Sequence, residues 1–369
     1  MPLHVGFDIS SLPYNRGVSR YTSNLVRGLY AQSEEVVLRL FGSSFRQRGA
    51  LHTFVADETP QAHAVFLPHP VKIMNIVWNR LHRVSPESFL GNIDVFHSWE
   101  MQPPLKSAAL VSTIHDLAMI RYPKTADSYV YSMNKASWDH LKKEGKAIIA
   151  VSESTKKDVV ELLGIEPERV HVVNEALPKE AKLRVTTVRR DTLLLELRLT
   201  KPYIFFIGTL EPRKNLHRLI QAWRPLKKEV ELVLAGAQGW DAMKQEQGLH
   251  VVGMVNNEQL AALYGGAEAL AYPSLYEGFG LPILDGFYHG VPVLTSNVSS
   301  MPEVSGDAAV LVDPLHVESI THGIEEALHH RKKYVDRGKE QVKKFSSWDD
   351  VAKKTIQVYK KAIAYEHRH

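Results

Sequence analysis

Short apolar runs alternate with amphipathic segments along almost the whole chain. Strands that alternate with helices in this way predict parallel sheets wound by right-handed crossovers, and each half of the chain holds enough strands for a sheet of its own. The sequence therefore predicts an α/β protein with two doubly wound domains. The apolar runs are LHVGFDI, VVLRLF, DVFHS, ALVSTIH and AIIAVS in the first half and YIFFIG, VELVLAG, HVVG, ALAYPS and VPVLTS in the second.

The pattern lapses near the middle of the chain and changes again near its end. Charge rises around residues 175–191, so we predict a first domain of residues 1–177 and a second of residues 178–346. Residues 347–369 have a loose apolar stripe after Ser347, a suitable N-cap, which predicts a last helix. Because such a helix needs a surface to pack on, we expect it to cross back to the first domain.

Composition and charge narrow the function classes. The 369 residues are 44% hydrophobic and 23% charged, which is typical of a folded globular protein. A net charge of +4 over this length is too small to indicate nucleic-acid binding, and none is expected. The chain has no cysteine, which excludes disulfides, thiolate metal sites and a cysteine nucleophile.

The sequence favours a cytoplasmic protein. The N-terminus lacks the pattern of a signal peptide, and no run of about eighteen apolar residues occurs. Residues 71–84, VKIMNIVWNRLHRV, mix apolar and aromatic side chains with basic ones, as an interfacial helix does. An ordinary helix of the first domain explains the same pattern, so peripheral contact with the inner face of the membrane stays open.

The first candidate site is the stretch AYPSLYEGFGLPILDGFYHG, residues 271–290. It predicts a strand, a glycine loop and a short helix. Because Gly278 and Gly280 have no side chain, the backbone N–H groups of Phe279, Gly280 and Leu281 can approach an anion at the positive end of that helix. The loop is a candidate phosphate site, although a GxG turn alone does not identify one.

Two carboxylates flank this glycine loop. Glu277 precedes it, beside the expected anion, so this side chain is a candidate acceptor of hydrogen bonds from hydroxyl groups. Asp285 falls about one turn into the helix, where it can accept from the hydroxyls of a ribose or simply complement the helix dipole. Position alone does not separate these two roles.

Two more candidates follow predicted strands. Arg213 and Lys214 come after the strand that ends at Gly208, and two cations at this edge suit a departing diphosphate, or form a solvated turn. His115 follows the strand ALVSTIH. It can donate to a substrate oxygen, be held neutral by its neighbour Asp116, or have a purely structural role.

The stretches VSTIHD, GTLEPRKNL and the segment from NNEQLAALYGGAEAL to VSGDAAVLVDP, in this order and at these separations, resemble glycosyltransferase family 4. These are retaining nucleotide-sugar transferases. The resemblance covers nearly the whole chain and implies the GT-B fold, in which two Rossmann-like domains face a central cleft and a C-terminal helix crosses back to the N-terminal domain. It also implies an acceptor-binding first domain and a donor-binding second domain.

The resemblance assigns the donor-binding roles. Arg213 and Lys214, with Gly208 beside them, would hold the donor diphosphate, and the amides from Gly278 to Leu281 would hold the sugar and the distal phosphate. Glu277 would bind sugar hydroxyls. The resemblance counts His115, Glu277, Arg213 and Lys214 as catalytic.

The remaining roles lie at other strand ends. The resemblance implies that Asp285 takes the ribose and that His115 lies against the transferred sugar. The loop around Gly17 would face donor phosphates or acceptor, and the base would rest on backbone near Gly253 to Val255.

Three positions depart from the family pattern. Asp285 stands where the family has a second glutamate, which shortens the reach to the ribose by one methylene. Thr209 stands where an arginine is common, so Arg213 must supply the second cation. The first loop has Arg16-Gly17 in place of a double glycine, which puts an amide contact to phosphate there in doubt.

The resemblance favours a retaining, metal-independent hexosyltransferase. The best-matching donor is GDP-mannose, and the acceptor is a hydroxyl of a glycan or lipid-linked glycan in bacterial surface polysaccharide synthesis. No metal or other cofactor is expected beyond the nucleotide sugar. The alternatives are a GT-B sugar phosphorylase, a nucleotide-sugar epimerase, or a non-catalytic nucleotide-sugar-binding partner.

Overall fold

The computed structural model describes residues 1–14, 17–123, 128–237, 246–345 and 347–366. The chain forms two compact units. The first unit comprises Met1–Ala176 and Ser347–His369, and the second comprises Leu177–Ser346. The polypeptide therefore leaves the first unit near its middle and returns to it for the last helix.

The first unit is built on a parallel sheet. Among its described residues the sheet has seven strands in the order β3-β2-β1-β4-β5-β6-β7. The strands are β1 Leu3–Asp8, β2 Val36–Ser43, β3 His63–Leu67, β4 Val95–Ser98, β5 Ala109–Ile114, β6 Gly145–Ala150 and β7 Val170–Val172. The helices are α1 Gly17–Ala31, α2 Arg48–Glu58, α3 Val71–Asn79, α4 Glu87–Leu90, α5 Ala118–Arg121, α6 Ser128–Glu144, α7 Glu153–Leu163 and, from the end of the chain, α15 Trp348–Glu366.

The second unit repeats this plan. Its described residues form a parallel sheet of six strands in the order β10-β9-β8-β11-β12-β13. The strands are β8 Tyr203–Ile207, β9 Glu231–Ala235, β10 Leu249–Gly253, β11 Ala269–Tyr272, β12 Val293–Ser296 and β13 Val310–Val312. The helices are α8 Thr187–Glu196, α9 Leu216–Trp223, α10 Asn257–Gly266, α11 Leu281–Tyr288, α12 Met301–Ser305, α13 Val317–His329 and α14 Arg331–Lys343.

The predicted fold class is confirmed, and each of the ten apolar runs overlaps one strand. Three strands have no counterpart among those runs. β3 has no fully buried residue, and β7 and β13 are only three residues long. Each lies at the edge of its sheet, where a strand needs a shorter and less continuous apolar pattern.

The last helix, α15, packs within the first unit on α1 and β6. The hydroxyl of Ser347 accepts a hydrogen bond from the backbone N–H of Asp350 at 3.2 Å, as the predicted cap requires. A Cβ atom on Gly28 of α1 would lie 2.7 Å from the carbonyl oxygen of Trp348, so the two helices approach closely at this glycine. The apolar stripe consists of Val351, Ile356, Val358, Tyr359 and Ile363, of which the first four are buried and Ile363 is half-buried.

None of the described helices is long and apolar enough to cross a membrane.

Candidate functional site

The carboxyl ends of parallel strands meet at one edge of a sheet, and the second unit gathers its candidate residues there. β8 and β11 are neighbours in this sheet. The loop after β8 carries Arg213 and Lys214, and the loop after β11 carries Glu277. Adjacent strands thus bring together three candidates from two separate sequence motifs.

The carboxylate of Glu277 lies between the two cations. Nζ of Lys214 donates to Oε1 of Glu277 at 2.6 Å, and a guanidinium nitrogen of Arg213 donates to Oε2 at 2.9 Å. The second terminal nitrogen of Arg213 contacts Glu211 at 2.7 Å, and Lys214 also donates to the hydroxyl of Tyr272 at 2.8 Å. Only 9% of each side chain of the Lys214–Glu277 pair is exposed. We call Arg213 and Lys214 the cation pair.

The cation pair controls the charge of Glu277. Burial by itself raises the pKa of this carboxyl, but the positive charges of Lys214 and then Arg213 outweigh burial and lower the pKa to about 2. Glu277 is therefore ionised at neutral pH. Burial lowers the pKa of Lys214, and the negative charge of Glu277 opposes this effect.

Backbone contacts hold the two loops in register. Arg213 donates to the carbonyl oxygen of Tyr276 at 2.7 Å, and its own carbonyl oxygen accepts from the N–H of Leu275 at 2.8 Å. The hydroxyls of Ser299 and Ser300 donate to the carbonyl oxygen of Glu277 at 2.5 and 2.9 Å. The site is therefore preorganised by contacts that fix the backbone as well as the side chains.

The glycine loop leads directly into α11. Gly280 is the residue before the helix and has φ 110°, a left-handed conformation that a side chain disfavours. Gly278, Phe279 and Leu281 are buried around it. Asp285 is 1% exposed and lies about one turn into α11, as its spacing predicted. A ribose contact of Asp285 stays a prediction.

Two further donor candidates lie at neighbouring strand ends. Gly208 directly follows β8, and its N–H donates to the carbonyl oxygen of Ala235 at 3.0 Å. A Cβ on Gly208 would lie 3.4 Å from Cε of Lys214, so this glycine leaves open the space next to the Lys214 side chain. Val255 is half-buried between β10 and α10, at the carboxyl edge of the same sheet.

The other two candidates, His115 and Gly17, belong to the first unit. Nδ1 of His115 lies 3.2 Å from Oε1 of Glu175, whereas the carboxylate of Asp116 accepts from the N–H of Ala118 at 2.9 Å. The partner of this histidine is therefore Glu175 and not its sequence neighbour. Gly17 is exposed at the start of α1, and Arg16 lies outside the described residues.

A buried chain of hydrogen bonds runs beside His115. The hydroxyl of Tyr359 on α15 contacts Nδ1 of His97 at 2.6 Å, and Nε2 of His97 contacts the hydroxyl of Thr113 at 2.8 Å. Thr113 also contacts the hydroxyl of Tyr21 at 3.1 Å, and the ring of Tyr21 meets the ring of His115 edge-on at 4.6 Å. Burial lowers the pKa of His97 to about 3, so His97 is neutral at neutral pH.

Sequence reasoning missed three participants. Tyr272, Glu211 and Glu175 each contact a predicted site residue, but none of the three was itself assigned a role from the sequence. Position offered a clue for Tyr272, because a tyrosine that ends a buried strand brings a polar hydroxyl to the carboxyl edge of the sheet. Within the part of the chain that the structure describes, no group of three His, Asp or Glu side chains is arranged to hold a metal ion.

Comparison with known proteins agrees with this architecture. Residues 15–178 match the family model described as Glycosyltransferase Family 4, and residues 195–345 match the model described as Glycosyl transferases group 1. The chain is 31% identical to O-antigen chain mannosyltransferase B of Escherichia coli, over 93% of this chain and 96% of that protein.

Solved structures show the same fold. Sucrose-phosphate synthase from Thermosynechococcus elongatus has a TM-score of 0.74 at 16% identity, with 98% of this chain and 99% of that chain covered. HepE from Anabaena, in complex with UDP and glucose, has a TM-score of 0.69 at 13% identity, with 97% and 99% covered. The match of both family models and the similarity to the E. coli protein over nearly its full length show that this chain belongs to glycosyltransferase family 4, and its two Rossmann-like domains have the GT-B fold.

Proposed function

We propose that the protein transfers mannose from GDP-mannose to a hydroxyl of a glycan or lipid-linked glycan, with retention at the anomeric carbon and without a metal ion. The name of the E. coli relative supports mannose as the sugar and surface polysaccharide as the product class. The observation that carries the chemistry is the contact of Arg213 and Lys214 with one buried carboxylate, beside the start of α11.

The cation pair would neutralise the diphosphate as it leaves. Bond cleavage moves negative charge onto the phosphate oxygens while the sugar becomes oxocarbenium-like, so cations fixed in advance at that place stabilise the transition state most. Contacts with Glu277 and Tyr272 hold Lys214 in one position before the donor arrives. A cation pair of this kind would take the part that a divalent metal plays in other transferases.

Glu277 would bind the sugar while it holds the cations. An ionised carboxylate offers about four acceptor positions, so its contacts with Arg213 and Lys214 leave capacity for sugar hydroxyls. The amides from Gly278 to Leu281 would contact the distal phosphate or the sugar. Asp285 would take the ribose, Val255 would lie near the base, and Gly17 would face phosphate or acceptor.

We further propose that the protein is cytoplasmic and contacts the inner face of the membrane through its first unit. α3 buries Met74 and Trp78 but exposes other apolar side chains, and it packs on the start of α6. We define the α3–α6 patch by its exposed residues Ile73, Ile76, Leu81, Val84, Tyr129, Val130 and Tyr131.

Charge around the α3–α6 patch suits an anionic lipid surface. Residues 71–84 contain Lys72, Arg80 and Arg83 and no acidic residue. Lys72 lies 5.2 Å from the ring centre of Tyr129, and Arg80 donates to the hydroxyl of Ser132 at 2.7 Å, so basic groups link the two helices. Apolar side chains ringed by cations bind anionic interfaces by burial and by charge together.

Vesicle flotation tests the membrane proposal. The wild type should float with vesicles that contain phosphatidylglycerol and less with phosphatidylcholine alone. The double change Ile73→Ser and Ile76→Ser should abolish flotation, whereas Val188→Ser with Leu195→Ser, two exposed apolar residues of α8, should not. Equal flotation of the two double variants would overturn the proposed contact.

A thermal-shift screen tests the donor. GDP-mannose, UDP-glucose, UDP-N-acetylglucosamine, dTDP-rhamnose and the free nucleotides are compared with and without EDTA. A ligand at a hundred times its dissociation constant stabilises the protein by about 2.7 kcal/mol, which is readily measured as a shift in Tm. Selective stabilisation by GDP and GDP-mannose, unchanged by EDTA, is expected. Selective stabilisation by another nucleotide would exclude GDP-mannose, and no shift with any of them would contradict the donor site.

A further inference from the structure

His115 is held from two sides within the first unit. Nδ1 lies 3.2 Å from Oε1 of Glu175, with 18% of the histidine side chain and 6% of the glutamate side chain exposed. The edge-on ring of Tyr21 packs against the imidazole. Among the described residues, Nε2 of His115 is buried and has no hydrogen-bond partner.

We infer that Glu175 is a positioning residue that fixes the proton of the neutral His115 ring on Nδ1 and leaves Nε2 as a hydrogen-bond acceptor. A carboxylate has no proton to donate, so the nitrogen that faces it must carry the hydrogen. The hydrogen bond made by one ring nitrogen thereby decides the state of the other.

The same contact fixes the orientation of the ring. Turning the imidazole by half a rotation would exchange Nδ1 with a carbon and break its bond to Glu175. Both partners would then be left unsatisfied in a largely buried place, which is costly. The packing of Tyr21 restricts the ring further, and Tyr21 is itself tied to Thr113. The contact with Glu175 therefore sets both the tautomer and the orientation of the His115 ring.

This tautomer selects one kind of contact. With the proton on Nδ1, Nε2 can accept a hydrogen bond from a hydroxyl but cannot donate to a carbonyl or phosphate oxygen. Sugars present hydroxyls, so the arrangement fits the proposed function, on which the substrate part of this inference rests. In this tautomer His115 would accept from a substrate hydroxyl, whereas the sequence also allowed it to donate to a substrate oxygen.

Nitrogen-15 NMR of histidine-labelled protein tests the tautomer without any substrate. His115→Asn identifies the signals, which should show a protonated Nδ1 and an unprotonated Nε2 in the wild type. Glu175→Ala should give a mixture of tautomers. The matched control is Glu231→Ala, which removes the carboxylate 2.9 Å from Nε2 of His250 and should leave the His115 signals unchanged. A wild-type His115 protonated on Nε2, or one unaffected by Glu175→Ala, would overturn the inference.

Steady-state kinetics tests the positioning role. Glu175→Ala should lower kcat by about 10- to 100-fold, as the loss of a carboxylate that orients a functional histidine does, with little change in the KM for the donor. Glu175→Gln keeps an acceptor oxygen and should recover most of the loss, and Glu231→Ala should match the wild type. An unchanged kcat in Glu175→Ala would overturn the role. If the wild type transfers no sugar, the proposed function fails, whereas the NMR result still decides the tautomer.

Discussion

Nζ of Lys214 lies 2.6 Å from the carboxylate of Glu277, although 63 residues separate them in the chain. Both side chains are almost fully buried at the carboxyl edge of the second sheet. Forming a buried ion pair costs free energy because both charges lose water. Removing only one partner also costs free energy, because it leaves the other charge buried and unpaired. Two well-packed apolar residues would stabilise the fold at least as well, so the pair beside the glycine loop is consistent with the proposed role in donor binding.

Replacing Lys214 with methionine should destabilise the second unit. The change leaves Glu277 buried with one cation fewer, and breaking a buried pair from one side costs about 3 kcal/mol or more of unfolding free energy. Lys201→Met is the control, because Lys201 is 68% exposed and its ion pair with Glu231 spans 3.5 Å. An exposed pair contributes about 1 kcal/mol at most. Chemical denaturation compares the two variants, and equal losses would contradict the account.

The low pKa of Glu277 predicts a dependence of stability on pH. Its folded-state pKa of about 2 lies below the ordinary value of 4.5. The ionised carboxylate therefore stabilises the fold fully above pH 4.5, and this contribution is lost as pH falls towards 2. The shift corresponds to about 3 kcal/mol.

Denaturation of the wild type and of Glu277→Gln over this pH range measures the contribution. The difference in unfolding free energy between them should shrink steadily as pH falls. A difference that stays constant would mean that the ionised form of Glu277 has no advantage in the folded protein.

Tyr359→Phe should destabilise the first unit without removing any packing surface. The phenol is the partner of Nδ1 of His97, and both residues are almost completely buried. Loss of the hydroxyl leaves a buried nitrogen unsatisfied, which costs about 1–3 kcal/mol. Tyr131→Phe, at an exposed position on α6, serves as the control and should change the unfolding free energy little. A Tyr359→Phe protein as stable as this control would contradict the buried chain.

Gly236→Ala should disrupt the donor edge of the second sheet. Gly236 has φ 138°, and an added Cβ would lie 2.0 Å from the carbonyl oxygen of Gly208. The backbone at Gly208 must therefore move, and Gly208 begins the loop that carries the cation pair. Both the stability of the protein and its affinity for nucleotide should fall. Gly290→Ala is the matched control, because Gly290 has φ 70° and the heavy atom nearest to the new Cβ is Cγ1 of Val335, at an ordinary contact distance of 3.8 Å. We expect Gly290→Ala to cost about 1 kcal/mol and Gly236→Ala clearly more. Equal melting temperatures and equal nucleotide affinities would contradict this.

The sequence predicted most of the fold because buried parallel strands are continuous apolar runs. Strands such as β5 and β8 could be predicted directly from their apolar composition. β3 has no fully buried residue, so its sequence lacks that pattern. The short helix that carries Asp285 was also predicted from the sequence, because Pro282 and Gly290 mark its two ends.

The contacts between the candidate site residues could not be predicted from the sequence. Motif spacing identified Lys214 and Glu277 separately, but only the adjacency of β8 and β11 brings them together. Glu175 lies where periodicity lapses and 60 residues from His115, so no local pattern relates the two. The bond from Tyr359 to His97 spans 262 residues and exists because the last helix returns to the first unit.

The most direct test of the central claim is a transfer assay with GDP-mannose and mannose oligosaccharides in the presence of EDTA. Release of GDP and the anomeric configuration of the product are followed by proton NMR for the wild type, Lys214→Ala and Lys201→Ala. We predict an α-linked product from the wild type and the Lys201→Ala control, and a rate about 100- to 1,000-fold lower in Lys214→Ala, as expected for the loss of one preorganised donor. A β-linked product, a requirement for metal, or an undiminished rate in Lys214→Ala would contradict the account.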